Sequence, residues 1–454
     1  MRARIEPGGT VRGDVHVPGD KSIAHRWLIL AATASGSSRI VGLPTSLDVR
    51  STAACLALLV PAARPSLEAW LVDARSGDQH HGFTWDTDTG GDDRSALEVE
   101  AEGRGGLRAP GSDLDCGNSG TTMRLLAGVV AGAPFRTVLR GDASLTRRPM
   151  ERVAEPLRRM GAVAETDDGR PPLVIQGGAL RGIRCEMPVP SAQVKSCVLL
   201  AGLAASGETI VEEAARTRDH TERALLALGA PIAIGERDVE VSAFQHQGFE
   251  GKIPGDVSSA AFLAAAAVLT GGSLTIRGVG LNPTRLGFLG VMARMGIRTE
   301  QEVLEERLGE PVGDLSVGPG AGLTGTGVGE GELPLVIDEV PVLAALAAHA
   351  DGETRFAGAQ ELREKESDRL RGLAEQIQGL GGLARVEGED LVVAGGGLAG
   401  GNADALGDHR MAMAMTVAAL GARGPSEVGG MESAVVSYPG FVEVLAGLGA
   451  RFGG

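Results

Sequence analysis

Val17-Pro18-Gly19-Asp20-Lys21-Ser22 and Ile253-Pro254-Gly255-Asp256-Val257-Ser258-Ser259 lie far apart in the chain yet are spelled almost alike. Each leads into an alanine- and leucine-rich run, Trp27 to Ala34 in the first case and Phe262 to Leu269 in the second. A Pro-Gly-Asp turn ahead of such a run reads as a helix start. Unpaired backbone N–H groups and the positive end of the helix dipole gather there, which suits an anion. The duplication predicts a chain built twice on one plan. Only the first copy adds Lys21 and Arg26, so the two halves differ in chemistry.

A second repetition points the same way. Helix-like segments close on Met160-Gly161, Leu228-Gly229, Met295-Gly296, Leu380-Gly381 and Leu448-Gly449, with the glycines 68, 67, 85 and 68 residues apart. A glycine just past the last apolar position is a left-handed helix C-cap. A sixth, degenerate copy falls near Leu58-Leu59, where Pro61 stops the helix. Such a period predicts a repeated unit of two helices and several strands, six in all and three to a domain. Chance recurrence of a common helix ending is the competing explanation. Two segments break the period. Residues 73–107, rich in Gly, Asp, His and Thr, read as an insertion between strands, and the Gly-rich 308–332 stretch reads as a mobile surface loop. Alternation in Asp238-Val239-Glu240-Val241 and Asp390-Leu391-Val392-Val393 reads as strand.

Composition narrows the function classes. The 454 residues are 43% hydrophobic and 22% charged, enough for two or more domains with large cores. Aromatics at 3% speak against a base-stacking surface, and a formal charge of −15 speaks against phosphate-backbone binding. A local basic cluster can still hold a small anion. Cys55, Cys116, Cys185 and Cys197 form neither a C-x-x-C pair nor a Cys/His cluster, so no metal is expected and a reducing cytoplasmic setting fits. The N-terminus carries no signal core, and no apolar run is long enough to span a membrane.

Several segments offer chemistry at expected helix starts. Lys21 and Arg26 put cations where they oppose the dipole, a penalty that a bound anion offsets. A surface Lys and Arg would read the same. Asp115-Cys116-Gly117-Asn118-Ser119-Gly120-Thr121-Thr122-Met123-Arg124 is a glycine-rich turn that suits phosphate or carboxylate, or simply caps a helix. Arg147 and Arg148 precede Pro149, and their planar forks suit planar anions or salt bridges to Glu151 and Glu155. Ser191-Ala192-Gln193-Val194-Lys195-Ser196 suits a phosphorylated polyol, with capping alone as the alternative. Glu361 to Arg369 reads by itself as a solvated charged helix. Gly407-Asp408-His409-Arg410 stands before an apolar helix, which implies a buried polar network or an active site.

Taken in order, these segments resemble the 5-enolpyruvylshikimate-3-phosphate synthase family of enolpyruvyl transferases. The resemblance runs from Pro18 to about Pro439. It is carried by P-G-D-K-S-x-x-H-R, G-N-S-G-T-T-x-R, R-P-M at 148–150, S-A-Q-V-K-S, T-R-D-H-T-E at 217–222, P-G-D-x-S-S-A, E-K-E-S-D-R and G-D-H-R-M-A-M. It implies an α/β fold of two similar domains, each of three βαβαββ units about a pseudo-threefold axis, with the active site in the cleft between them. The expected domains are 1–19 plus 253–454, and 20–252. The implied reaction moves the enolpyruvyl group of phosphoenolpyruvate to the 5-hydroxyl of shikimate 3-phosphate and releases phosphate. No cofactor is implied, nor any nucleic-acid or membrane partner, and a monomer is expected.

Carried over by motif, Lys21, Ser22, Arg26, Ser191, Ala192, Gln193, Arg218, Asp338 and Lys365 correspond to the shikimate-3-phosphate site. Lys21, Asn118, Gly120, Thr121, Arg124, Arg148, Gln193, Arg369 and Arg410 correspond to the phosphoenolpyruvate site. Asp338, Lys365 and Glu366 match the residues of proton transfer, with Glu366 the expected donor to carbon. Gly120 stands where an added methyl would crowd phosphoenolpyruvate or its mimic glyphosate, so sensitivity to glyphosate is expected. The chain departs from the family at Val436-Ser437-Tyr438-Pro439, where many relatives carry a lysine. It departs again at Glu361, where asparagine is common and where an acid calls for a cationic neighbour, with Arg363 the expected one. Two rivals are a UDP-N-acetylglucosamine enolpyruvyl transferase, whose mobile loop usually carries a cysteine absent from 141–150, and a non-catalytic anion-binding relative.

Overall fold

Both Pro-Gly-Asp turns start helices in the computed structural model, which describes residues 1–76, 96–319 and 322–453. Asp20 caps the Lys21–Thr33 helix by accepting from the Ile23 N–H at 2.9 Å, and Asp256 caps the Val257–Leu269 helix by accepting from Ser258 N–H at 2.9 Å. Each cap thus satisfies one N–H that the first helical turn leaves open. The turns also pair with each other. Asp20 N–H donates to the Pro254 carbonyl and Asp256 N–H to the Pro18 carbonyl, both at 2.8 Å, around a Gly19–Gly255 antiparallel bridge. The chain therefore crosses between its two halves twice at a single place.

Two hydrophobic cores flank that crossing. One gathers residues from Ala3 to Val17 and from Val257 to Ala450; the other gathers residues from Ile23 to Ile253. At the centre of the first lie the Val257–Leu269, Val340–Ala347 and His409–Leu420 helices. At the centre of the second lie Lys21–Thr33, Gly120–Ala131 and Ala192–Gly202. These helices are apolar on nearly every side, a pattern that excludes a surface position. Val257–Leu269 buries every residue but Leu269. Each leucine-sized side chain hidden this way contributes about 1.5–3 kcal/mol relative to exposure.

The sheets outside these helices repeat one pairing plan. A short strand runs parallel to a second, which pairs antiparallel with a third. Leu114–Asp115, Arg136–Arg140 and Arg170–Gln176 follow it, with Val163–Asp167 added at the edge. So do Arg184–Met187, Thr209–Glu213 and Asp238–Val241, with Ile232–Ile234 at the edge. Three sheets around the other core are built alike, centred on Leu274–Gly280, Glu353–Phe356 and Ser426–Gly429. The sheet of Glu250–Lys252, Ser35–Val41 and Leu97–Glu102 has the same order without an edge strand among the described residues. The repeat read from the glycines is thus a structural one. Gly161, Gly229, Gly296, Gly381 and Gly449 each follow a helix with φ of 112°, 79°, 89°, 79° and 108°, left-handed values that favour glycine.

Two expectations need correction. The 308–332 stretch is not simply a loop: Glu310–Val317 is a full strand paired antiparallel with Thr299–Arg307, and Gly327–Val328 is a short strand. Its glycines hid the pattern. At Gly313 a side chain would meet the Glu302 carbonyl oxygen 1.8 Å away, so close strand contact demands glycine there. The 73–107 insertion is also narrower than read. The Arg64–Ser76 helix covers its beginning and Leu97–Glu102 its later part, while residues 77–95 lie outside the described residues.

Candidate active site

A cleft of about 810 Å³ opens between the two cores. Helix starts form much of its wall. Lys21 and Ser22 begin one helix, Gly120 and Thr121 a second, and Ser191, Ala192 and Gln193 a third, all from the middle of the chain. From the other side come Arg410, one residue into the His409–Leu420 helix, and Asp338, two residues before the Val340–Ala347 helix. N-termini of buried helices present open N–H groups and a positive partial charge, so the wall suits anions before any side chain is counted.

The side chains are already organised. Lys21 Nζ lies 2.9 Å from Asp48 Oδ2. Arg124 Nη1 donates to Gln193 Oε1 at 2.5 Å, and Gln193 Nε2 donates to Thr121 Oγ1 at 2.8 Å. Arg148 Nη2 donates to Asn118 Oδ1 at 2.6 Å. Burial pulls the Arg124 pKa down to about 9, which leaves it cationic at neutral pH. Arg410 Nη1 donates to the Asp338 carbonyl at 2.7 Å, with Nη2 3.7 Å from its carboxylate. Several contacts cross the cleft. Arg218 pairs with Asp338, Arg148 Nη1 stands 3.9 Å from Glu366 Oε1, and Ser144 Oγ donates to the Glu366 carbonyl at 3.1 Å.

Glu361 to Arg369 is not one solvated helix. A 3₁₀ turn over Ala359–Glu364 and an α-helix from Arg369 leave Lys365, Glu366 and Ser367 in the bend between. The bend turns Lys365 and Glu366 into the cleft. Ser367 Oγ and Arg369 Nε anchor it to Asp408 Oδ2 at 3.1 and 2.8 Å. Burial pushes the Asp338 carboxyl up, but Arg218, Arg410 and Lys365 outweigh it and hold the group well below the usual carboxylate range. Glu366 is likewise pushed up by burial and held well below that range by Arg369 and Arg148. Burial lowers the Lys365 ammonium, against the pull of Asp338. It also drives His409 well below its ordinary value, so that ring is neutral.

Lys21, Arg148, Lys365 and Arg410, from four separate segments, all line this one cleft, as do Ser22, Gly120, Thr121, Arg124, the Ser191–Gln193 turn, Arg218, Asp338 and Glu366. Arg26, Asn118 and Arg369 stand one layer behind. Arg26 is buried, with Nε donating to Thr221 Oγ1 and Nη2 to Ser196 Oγ, both at 2.7 Å. Arg369 lies behind the Asp338 and Glu366 carboxylates. Sequence reasoning missed Asp48 and Arg152. Asp48 sits in the first turn of the Leu47–Leu59 helix, an acid next to a helix start that could have been flagged. The expected neighbour of Glu361 is also wrong. Arg152 Nη1 lies 3.7 Å from it across the cleft, while Arg363 turns to Asp368 and Glu389. Eight acids line the cleft against seven lysines and arginines. Glu330, Glu364 and Glu389 are exposed at its rim, whereas Asp48, Asp338 and Glu366 are each ion-paired inside.

Two lobes of one repeated α/β plan, closing helix N-termini and basic side chains over a shared polar cleft, define a transferase of the enolpyruvyl-transferring class. A family model described as EPSP synthase (3-phosphoshikimate 1-carboxyvinyltransferase) matches residues 5–79 and 88–445. The 3-phosphoshikimate 1-carboxyvinyltransferase of Halorhodospira halophila is 45% identical, over 98% of this chain and 96% of that protein. The protein of that name from Acidithiobacillus ferrooxidans is 44% identical, over 97% and 96%. The solved EPSP synthase of Acinetobacter baumannii superposes with a TM-score of 0.80 at 35% identity, covering 100% of this chain and 99% of that one. The chain belongs to the EPSP synthase family. It is a transferase of the shikimate pathway that moves the enolpyruvyl group of phosphoenolpyruvate to shikimate 3-phosphate.

Proposed function

We propose that the cleft holds both substrates at once, and that the residues of its two walls divide the work. Lys21, Ser22, the Ser191–Gln193 turn and Arg218 face shikimate 3-phosphate, backed by Arg26. Gly120, Thr121, Arg124, Arg148 and Arg410 face phosphoenolpyruvate, joined by Lys21 and Gln193, which reach both substrates, and backed by Asn118 and Arg369. Asp338 and Lys365 stand at the 5-hydroxyl, and Glu366 gives the proton to the methylene carbon. That proton makes C2 cationic, and the 5-hydroxyl adds there as its own proton passes to Asp338. The tetrahedral adduct then loses a proton from its new methyl group and phosphate from C2, which restores the carbon–carbon double bond. The observation that carries this reading is the convergence of Lys21, Arg148, Lys365 and Arg410 on one cleft beside Asp338 and Glu366. Phosphate release should appear with both substrates together and with neither alone. Release from phosphoenolpyruvate without shikimate 3-phosphate would defeat it, as would equal release with a UDP-sugar acceptor.

The low pKa of Glu366 has a place in this scheme. Its carboxylate is held ionised chiefly by Arg369, then Arg148. Substrate anions that engage Arg148 weaken that hold, raising the Glu366 pKa when a donor is required. Residues 1–19 plus 253–454 and 20–252 act as two domains that close on the substrates, a division supported by the two separate cores. The chain is proposed to act as a monomer. The described cysteines are all free and buried, which fits the cytoplasm.

Glyphosate should inhibit at millimolar concentration or below (roughly the upper end of ordinary KM values). A side-chain carbon at Gly120 would lie 2.7 Å from Arg124 Nη1 and 3.3 Å from Arg148 Nη1. Gly120→Ala must therefore displace at least one of these cations. We expect the KM for phosphoenolpyruvate to rise about tenfold, the loss of roughly 1.4 kcal/mol of binding, with the KM for shikimate 3-phosphate little changed. Steady-state titration of each substrate checks it. An unaltered phosphoenolpyruvate KM would place that substrate elsewhere.

A further inference from the structure

Arg285 closes the Pro283–Arg285 turn, outside every sequence motif that marks the cleft, and its side chain is 2% exposed. It sits at the double crossing of the chain. Nη1 donates to Asp20 Oδ2 at 3.2 Å and lies 3.4 Å from His220 Nε2. Nη2 donates to Ser258 Oγ at 2.6 Å and stands 3.7 Å from Asp256 and 3.6 Å from Glu339. Asp20 and His220 belong to the middle of the chain; Asp256, Ser258 and Glu339 belong to the other half. One guanidinium thus gathers both helix-capping aspartates and both sides of the crossing. Its Nε has no partner among the described residues. Such a site is poorly explained by stability alone, because apolar side chains of similar volume often replace buried ion pairs without loss.

The partners of Arg285 are the near neighbours in sequence of the groups that meet in the cleft. Asp20 precedes Lys21 and caps its helix. Glu339 follows Asp338. His220 lies two residues after Arg218, and its Nδ1 is pinned at 2.7 Å to Glu310 Oε1 of the opposite half. Asp219, next to Arg218, is held by Asn282 Nδ2 at 2.7 Å. Both ends of the cross-cleft Arg218–Asp338 pair are therefore tied within two residues to one buried network. We infer that Arg285 is a positioning residue for the transfer reaction, setting Lys21, Arg218 and Asp338 in mutual register when the two halves close. This rests on the functional reading given above. The planar fork matters as much as the charge, since a lysine cannot reach Asp20, Ser258 and Glu339 from the same place. An error of about 1 Å in such register costs about a hundredfold in rate.

Arg285→Lys, Glu339→Gln and the double variant test it, each alongside the unaltered chain, with circular dichroism and thermal melting to fix the folded fraction. Arg285→Lys should lower kcat at least about tenfold per folded molecule, with the KM of each substrate shifted less than threefold. Glu339→Gln should lower kcat in the same sense, and the double variant should fall well short of the product of the two effects. A wild-type kcat in folded Arg285→Lys overturns the positioning role, as does a loss that only tracks the folded fraction or a fully multiplicative double variant. No turnover by the unaltered chain overturns the functional reading itself, and the positioning role with it.

Discussion

Glu366→Gln lowers kcat by about 10²–10⁴-fold, the usual worth of a positioned general acid, while the chain stays folded. Glutamine keeps the size of the side chain and an oxygen that can accept from Arg369, so the bend at residues 365–367 keeps its anchor. Arg369 also retains Asp408 at 2.8 Å, and Ser367 retains the same carboxylate at 3.1 Å. What glutamine cannot do is take up a proton and release it to carbon. The expected signature is a fall in kcat larger than any change in either KM, read by phosphate release under saturating substrates. Solvent deuterium incorporated into the product methylene would fall in step. If the variant turns over at the parental rate, the donor is another group, and Lys365, whose ammonium burial already lowers, becomes the first to replace.

Lys21→Met produces the second large effect, a loss of about 10²–10³-fold in kcat/KM. A charge-assisted hydrogen bond to a phosphate or carboxylate is worth about 1.5–3 kcal/mol, which alone accounts for roughly ten- to 150-fold. The remainder comes from Asp48. Its carboxylate, with a side chain only 10% exposed, is 2.9 Å from Lys21 Nζ. Methionine leaves that negative charge facing an anionic substrate. The double variant Lys21→Met/Asp48→Asn should therefore recover part of the activity lost in the single one. If the two changes simply multiply, Asp48 does not act through Lys21. If Lys21→Met alone matches the parent in kcat/KM, the lysine does not touch the substrates.

Lys21 and Glu366 differ in how legible they are in the sequence. Lys21 stands in a motif, and a cation at a helix start is already a physical oddity that an anion resolves. Glu366 was harder to read by itself. A run such as Glu361-Leu362-Arg363-Glu364-Lys365-Glu366 has the composition of a solvated helix, and only its place among the other motifs marked it. In the structure the run breaks into a 3₁₀ turn and a bend because Asp408, from a later segment, captures Ser367 and Arg369, which lie 41 and 39 residues before it. Asp48 and Arg152 were passed over because neither belongs to a marked turn, although each is ion-paired at the cleft. Arg285 carried no signal at all. Its significance lies in carboxylates that come from three distant stretches of chain.

The chain's own order of residues determined its punctuation. Pro-Gly-Asp turns, glycine caps and apolar runs act over a few neighbouring residues, so helix starts, helix ends and the sixfold period could be counted from the letters. Tertiary structure alone decided which charges meet. Pairings such as Arg152 with Glu361, Arg218 with Asp338 and Arg285 with Asp20 join residues far apart in sequence, and they exist only because the halves share one crossing point. Electrostatic attraction falls off with distance in space rather than along the chain, so these pairs could be read only from the folded molecule.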